Sequence, residues 1–281
     1  MYDLHSHSDC SDGILSPEAL MSRARAQGVS TLALTDHDTL DGLERAHRAA
    51  QAEGVTLIPG IEFSSQWGRG GVHIVGLSLD TAHPALLAAV ARQRQAREER
   101  ALAIAERLEK LGIPHALEGA RQVAAGGQIG RPHFARFLVE QGVVRDMGAA
   151  FKKFLGAGKP ADVKFAWPDM TTVIEWIHGA GGLAVLAHPK KYPLTRTKMC
   201  ALIHDFAEAG GDALEVISGQ QPAGQADDLA RIAQQTGLAA SCGSDFHRPE
   251  APWQELGNFG PLPGGCTPVW ELAGFPAPRS P

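Results

Sequence analysis

Hydrophobic and polar positions along this chain follow two rhythms in turn. Through the first 83 residues, short apolar runs that pattern as strands are separated by amphipathic stretches of helical period. Tyr2–His5 begins the first strand. A helix from Pro17 to Gln27 follows, with Ser16 placed to cap its free N–H groups, Pro17 at its first position and Gly28 as its stop. Thr31–Thr35 is the second strand, Leu43–Glu53 a second helix closed by Gly54, and Val55–Gly60 the third strand. The glycine-rich turn WGRGG between Ile61–Gln66 and Val72–Leu77 predicts a hairpin.

From Pro84 to about residue 159 the rhythm stays helical. Leu86, Leu87 and Val90, then Leu102, Ile104, Leu108 and Leu111, recur at helical spacing up to Gly112, and shorter helices are expected over 131–141 and 146–155. The alternation then resumes. Helices near 171–179, 196–209 and 223–236 interleave with the strands LAVLAHP, DALEVI and LAASCGSDFH, and a Pro- and Gly-rich tail after Pro252 is expected to wrap the surface. The expected fold class is therefore α/β: six or seven βα units forming a barrel from residues 1–83 and 160–281, with 84–159 as an inserted all-helical subdomain.

Composition narrows this picture without redirecting it. With 281 residues, 44% hydrophobic and 20% charged, the chain has globular composition, which excludes disordered and collagen-like classes. Cys10, Cys200, Cys242 and Cys266 form no CxxC pair, so neither a disulfide framework nor a thiolate zinc site is indicated. The first ten residues hold two histidines and two aspartates rather than an apolar signal core, and no long apolar run follows, so a cytoplasmic protein with no membrane contact is expected. Net charge is −5, but residues 84–164 carry 14 Lys/Arg against 8 Asp/Glu. Arg92, Arg94, Arg97 and Arg100 are either the solvated face of a helix or a basic surface facing an acidic body.

The candidate chemistry lies at the predicted strand ends, the face on which a (β/α) barrel builds its site. The first strand runs into His5-Ser6-His7, with Asp12 in the loop beyond, and the second ends at Asp36-His37-Asp38. Glu62 and His73 come from the hairpin, His188 from LAVLAHP, and Asp245 and His247 from the last strand. Each alone is an ordinary polar residue, but their convergence on one face suggests a metal cluster of nitrogen and oxygen donors. Asp36 or Asp38 would either hydrogen-bond a ligand imidazole or cap a local turn.

The segments DLHSHSDCSDG, LTDHDTLDG, IPGIEFS, HIVG, AHP and GSDFH resemble, in order, the motifs of the polymerase and histidinol phosphatase (PHP) family. The resemblance implies a distorted (β/α)7 barrel with up to three divalent metals held by His5, His7, Asp12, His37, Glu62, His73, His188, Asp245 and His247, Glu62 bridging. It implies manganese first, iron(II) or zinc as alternatives, and a metal-held hydroxide as nucleophile for hydrolysis of phosphate esters. The insert segment GRPHFAR further resembles the 3′,5′-nucleotide bisphosphatase and RNase AM subgroup.

That second likeness implies a small nucleotide substrate such as adenosine 3′,5′-bisphosphate, with AMP as product, or short RNA. The insert would act as a substrate-binding lid, with Arg131, His133 and Lys164 on a substrate phosphate. The competing reading of these cations is solvated insert surface, with Pro132 only starting a helix. Apart from the likeness, Trp167 or Phe246 is a candidate to stack on the base, the competing reading being packing at the barrel rim. No protein partner is indicated. Other readings are a different phosphomonoesterase such as one acting on histidinol phosphate, a C–N hydrolase of the wider amidohydrolase type, and a non-enzymatic metal-binding module. The C–N hydrolase is disfavoured because Glu62 takes the place of a bridging lysine, and the module because no ligand position is empty.

Overall fold

The computed structural model describes residues 1–164 and 167–275. Seven strands, β1 (Tyr2–Asp3), β2 (Thr31–Leu34), β3 (Thr56–Trp67), β4 (Gly70–Leu77), β5 (Leu183–Leu186), β6 (Ala213–Ser218) and β7 (Ala239–Gly243), lie side by side in chain order. β4 runs antiparallel to both β3 and β5, and the other neighbouring pairs are parallel. Backbone hydrogen bonds then join the first strand to the last: Leu4 N–H donates to Cys242 O at 3.0 Å, Asp245 N–H to His5 O at 2.9 Å and His7 N–H to Phe246 O at 2.9 Å. The result is the expected distorted seven-stranded barrel, whose irregularity is the β3–β4 hairpin.

Helices α1 (Pro17–Ala26), α2 (Leu43–Glu53), α7 (Met170–Gly179), α8 (Arg196–Glu208) and α9 (Gln225–Thr236) cover the outside. Their starts are fixed locally. Ser16 Oγ accepts from Ala19 N–H, Asp169 from Thr172 N–H and Thr195 Oγ1 from Lys198 N–H, satisfying donors the helix cannot pair internally. Along the strands the side chains alternate. Ile74, Ala184, Leu186, Leu214, Val216 and Ala240 pack outward on the helices, while Val75, Leu77, Val185, Ala213 and Ala239 pack together with Leu4, Ile58 and Val269. Because His73 shares its face of β4 with Val75 and Leu77, that second layer forms the floor on which the polar strand ends stand.

The helical segment begins with α3 (Pro84–Lys110), whose two halves serve different cores. Leu86, Ala89 and Val90 pack with Ile61 and Phe63 of the barrel. Ala101, Ile104, Ala105 and Leu108 instead pack with Phe134, Phe137 and Leu138 of α5 (Arg131–Glu140), and with Phe154 and Leu155. Between α3 and α5 lies α4 (Ala116–Ala124), a helix the hydrophobic pattern did not single out; it starts without a side-chain cap at His115, which has positive φ. The stretch expected as one helix over 146–155 is α6 (Met147–Ala150) running into a π-helical turn over Phe151–Leu155. Among its described residues the tail forms two 3₁₀ turns, and it stacks Trp270 on Tyr2 with ring centroids 4.2 Å apart.

Candidate metal centre

All nine candidate donors come to one place: seven lie at or beyond the ends of β1, β2, β5 and β7, while Glu62 and His73 stand within β3 and β4 of the hairpin. Glu62 is fully buried at the centre. Its Oε2 faces His5 Nε2 at 3.3 Å, His7 Nε2 at 3.2 Å and His37 Nδ1 at 3.0 Å. Its Oε1 faces His73 Nδ1 and His188 Nε2, both at 2.9 Å. Asp245 Oδ1 lies 3.2 Å from His7 Nε2, and Asp12 Oδ1 lies 3.3 Å from His247 Nε2. Donors sharing one ion at about 2.0–2.2 Å sit about 3.0–3.5 Å apart, so these separations suit ligand sets.

Three overlapping groups each bring their donor atoms within 4.8 Å of one another and could hold a metal ion: His7, Asp12, His37 and His247; His5, His7, Glu62 and Asp245; and His37, Glu62 and His73. Several inward atoms have no hydrogen-bond partner despite burial, among them His5 Nε2, both His7 ring nitrogens, Asp12 Oδ1, His37 Nδ1, Glu62 Oε2 and Asp245 Oδ1. Leaving so many buried polar atoms unpaired is costly unless cations complete them, so the donor set fits bound metal. His7 offers one nitrogen to each of two groups, but a neutral imidazole has a single free lone pair and can ligate in only one of them.

The local backbone is bent to make this arrangement. Asp38, His188 and Asp245 have φ of 52°, 29° and 53°, conformations that side-chain-bearing residues adopt at a cost, here at three strand ends of the site. Gly243 lets β7 approach the first strand, since a Cβ there would stand 2.4 Å from His5 Cβ. The β6–β7 register shifts between Glu215 and Ile217, a local irregularity at the residue that turns its carboxylate to the site. Glu215 Oε1 takes the His5 Nδ1–H at 2.9 Å and Oε2 accepts from His188 N–H at 2.5 Å.

Glu215 was not among the candidates, since in sequence it is one acidic residue in an apolar strand. The two aspartates considered for that orienting role do something else. Asp36 clamps the loop that carries Asp12, accepting from Ser8 N–H, Ser8 Oγ and Ser11 Oγ at 2.6–2.7 Å. Asp38 is paired with Arg97. Neither bonds a candidate ligand imidazole.

The charges answer one another. Burial opposes protonation of His5 and His7, but the surrounding carboxylates outweigh it, raising His5 well above its ordinary value and His7 to about 10. His37 goes the other way, to about 3, because burial dominates. Asp12, Glu62 and Asp245 are each held well below the carboxylate range: burial pushes against this and the neighbouring cationic groups prevail. Lys191 pairs with Asp245 Oδ2, and the Tyr192 hydroxyl accepts from His73 N–H at 2.8 Å; both flank the cluster and neither stood out in the sequence.

The substrate-side candidates are less uniform. Arg131 starts α5, partly exposed, with its guanidinium over the Phe151 ring. His133 is buried, its Nδ1 accepts from Gly130 N–H at 3.0 Å, and burial drives its pKa to about 4. It is therefore a neutral cap of α5 rather than a cation. Lys164 is exposed, and Trp167 lies under Arg97 and Arg100, 5.7 and 5.6 Å from their guanidinium carbons.

Phe246 has to be removed from the base contacts. It is fully buried in the cluster of α1 and α2, beside Leu20, Met21 and Leu43, and presents no face to a ligand. The solvated-face reading of the α3 arginines holds for Arg92 and Arg94 and fails for Arg97, which is buried, and for Arg100, whose Nε is buried without a partner. Arg97, Arg100 and Arg131 line one narrow pocket with Gly130 and Phe134.

Comparison with known proteins agrees with this geometry. The family profile for the PHP domain matches residues 3–114. A 5′-3′ exoribonuclease of Haemophilus influenzae is 48% identical over 96% of this chain and 98% of its own. A 3′,5′-nucleoside bisphosphate phosphatase of Chromobacterium violaceum is 44% identical over 96% of this chain and 95% of its own. A solved structure of an amidohydrolase from Chromobacterium violaceum, with bound sulfate and no metal, superposes with a TM-score of 0.90 at 44% identity, covering 96% of this chain and 94% of that one. With likeness at that level along nearly its whole length, and with the PHP profile matched over the part that holds His5, His7, Asp12, His37, Glu62 and His73, this chain belongs to the PHP family.

Proposed function

We propose that the protein is a metal-dependent phosphoesterase that removes the 3′-phosphate of nucleoside 3′,5′-bisphosphates, such as adenosine 3′,5′-bisphosphate, leaving the 5′-monophosphate. The observation that carries this is Glu62: one buried carboxylate whose two oxygens face five imidazoles, an arrangement in which it would serve as a ligand shared between metal ions. Two to three divalent ions, manganese first and iron(II) or zinc otherwise, would be held by His5, His7, Asp12, His37, Glu62, His73, His188, Asp245 and His247. Bound there, they supply Lewis acidity toward phosphoryl oxygens and a hydroxide at neutral pH.

The chain's own part is to hold and to balance. Asp12, Glu62 and Asp245 offset the metal charge, so that a phosphate is attracted yet released. Glu215 fixes the His5 ring with Nδ1 protonated, leaving Nε2 as its donor. On the insert side, which we read as a substrate-binding lid, Arg131 and Arg100 would anchor the second phosphate, with Lys164 at the edge and His133 donating at most a neutral hydrogen bond. The unpartnered Arg100 Nε, near Arg131 and with no described carboxylate hydrogen-bonded to either guanidinium, supports an anion at these two side chains. Trp167 would lie near the base.

The exoribonuclease relative favours a second reading in which a 5′-phosphorylated RNA end occupies the same pocket and successive nucleotides are released. One panel tests both readings. The purified, metal-analysed protein is assayed for phosphate release from 3′,5′-bisphosphates, 3′- and 5′-monophosphates and histidinol phosphate, and for nucleotide release from short 5′-phosphorylated RNA. Equal turnover of bisphosphates and 3′-monophosphates would overturn the bisphosphatase proposal.

A further inference from the structure

His37 and Asp38 are neighbours whose side chains serve opposite sets of partners. The His37 ring faces Glu62 and Asp12, while the fully buried Asp38 carboxylate points to the helical segment. Asp38 Oδ2 accepts from Arg97 Nε at 2.6 Å, and its Oδ1 accepts from Gln93 Nε2 at 2.9 Å and Ser64 N–H at 2.8 Å. Arg97 Nη2 also donates to Ser64 Oγ at 2.9 Å, and Gln93 Nε2 to Ser64 O at 2.7 Å. Gln93 and Arg97 stand one turn apart on α3, so a single helix face supplies both.

This network grips the backbone that carries two metal-ligand candidates. Asp38 N–H donates to Glu62 O at 3.0 Å, Glu62 N–H donates to Asp36 O at 3.2 Å, and His37 and Glu62 are bridged as parallel partners. The left-handed turn at Asp38 makes the split possible. An aspartate holds such a conformation when its surroundings over-determine it, and here the carboxylate has three hydrogen-bond donors. The third guanidinium nitrogen, Arg97 Nη1, lies against Gly130, 3.3 Å from where a Cβ would stand, at the start of α5 and on the pocket shared with Arg100 and Arg131.

We infer that Arg97 is a positioning residue of the metal centre: through Asp38 it sets His37, and with it the Glu62 strand, in ligating geometry, so that α3 is tied to this side of the site through its guanidinium, with Gln93 beside it. The inference rests on the metal-dependent reading above. It differs from a purely structural ion pair in what it requires. A structural pair would change stability and leave metal affinity alone, whereas a positioning residue must change the affinity of the ions that His37 helps to hold.

The experiment titrates metal-depleted, full-length protein with Mn2+ against a competing chelator. It compares wild type with Arg97→Lys, which keeps the charge but loses the two-pronged geometry, and with Asp38→Asn/Arg97→Gln, which leaves no buried charge unpaired and so decides the matter if the lysine variant does not fold. Arg94→Ala, an exposed neighbour paired with Asp41, is the control expected to match wild type. The affinity of the ions sharing His37 should fall about ten- to a hundredfold in both test variants. With the bisphosphate substrate, kcat should fall while KM stays near wild type, and excess Mn2+ should restore kcat. Folded variants with wild-type Mn2+ affinity, or a kcat deficit that excess Mn2+ does not relieve, would overturn the inference. Wild-type protein that takes up no Mn2+, Fe2+ or Zn2+ would instead overturn the metal reading itself.

Discussion

Glu215 accepts the Nδ1–H of His5 at 2.9 Å across 210 residues of chain, and through its other oxygen holds the His188 amide. One carboxylate outside the cluster therefore orients the His5 imidazole directly and fixes the backbone that carries His188. Replacing it with glutamine keeps the size but can present an amide N–H to His5, favouring the wrong ring orientation or tautomer. Glu215→Gln is expected to weaken metal binding by about ten- to a hundredfold, the cost typical of losing a partner behind a ligand histidine. Metal content after dialysis against a weak chelator is the measurement, and wild-type retention would count against the role.

Two to three divalent ions per chain are expected in active protein, with activity lost on chelation and regained on metal return, because nine donors exceed what one ion uses. Elemental analysis finding less than one equivalent in active protein would refute this. His7→Ala and Asp245→Asn should each lower kcat by several orders of magnitude while unfolding cooperatively, and near-normal turnover in either would remove that residue from the site.

Metal uptake should release protons. In the metal-free protein His7 titrates at about 10 and His5 well above its usual 6.5, so both carry protons at neutral pH that must leave before the rings can ligate. Apparent metal affinity should therefore rise with pH through the neutral range. Calorimetry in buffers of different ionisation enthalpy would report the released protons, and a buffer-independent heat would contradict the expectation. For the metal-free fold the sign reverses: a raised histidine pKa contributes stability that is fully present below pH 6.5 and lost as pH rises through about 10. Its melting temperature should accordingly decline across that window.

The pocket of Arg100 and Arg131 separates a bisphosphatase from a general phosphatase. A charge-assisted contact contributes about 1.5–3 kcal/mol, or roughly ten- to a hundredfold. Arg131→Ala should reduce kcat/KM for a 3′,5′-bisphosphate by about that factor and leave the slower 3′-monophosphate reaction nearly unchanged, since the remote phosphate is what positions the reacting one. Equal loss on both substrates would place the arginine at the reacting group or in the scaffold.

Phe246→Ala tests the reassignment of that ring from base contact to core. It should destabilise the protein by about 3–5 kcal/mol through the cavity left beside Leu20 and Met21, with no change in preference among bases at temperatures where the variant is folded. A shift in base preference without loss of stability would restore it to the substrate site.

The sequence by itself determined the strand and helix order, the hairpin, the helical interruption and the convergence of nine nitrogen and oxygen donors from strand ends and the hairpin. Those features are local: period-two and helical patterns decide which way side chains face, caps such as Ser16 and stops such as Gly54 decide where elements end, and the parallel strands of one barrel finish on a common face. Where local signals are weak the sequence does not reveal the element, as with the uncapped α4 and the π turn after α6. Only the tertiary structure decided which of several similar residues does which task. Asp36 and Asp38 differ by their partners Ser8 and Arg97, Arg94 and Arg97 by which face of α3 meets the barrel, and Phe246 by lying under α1 while Asp245 beside it points inward. Glu215 gained its part from a register shift and a histidine at the far end of the chain. Such assignments depend on contacts between residues distant in sequence, whose energies of burial and pairing exist only once the barrel has closed.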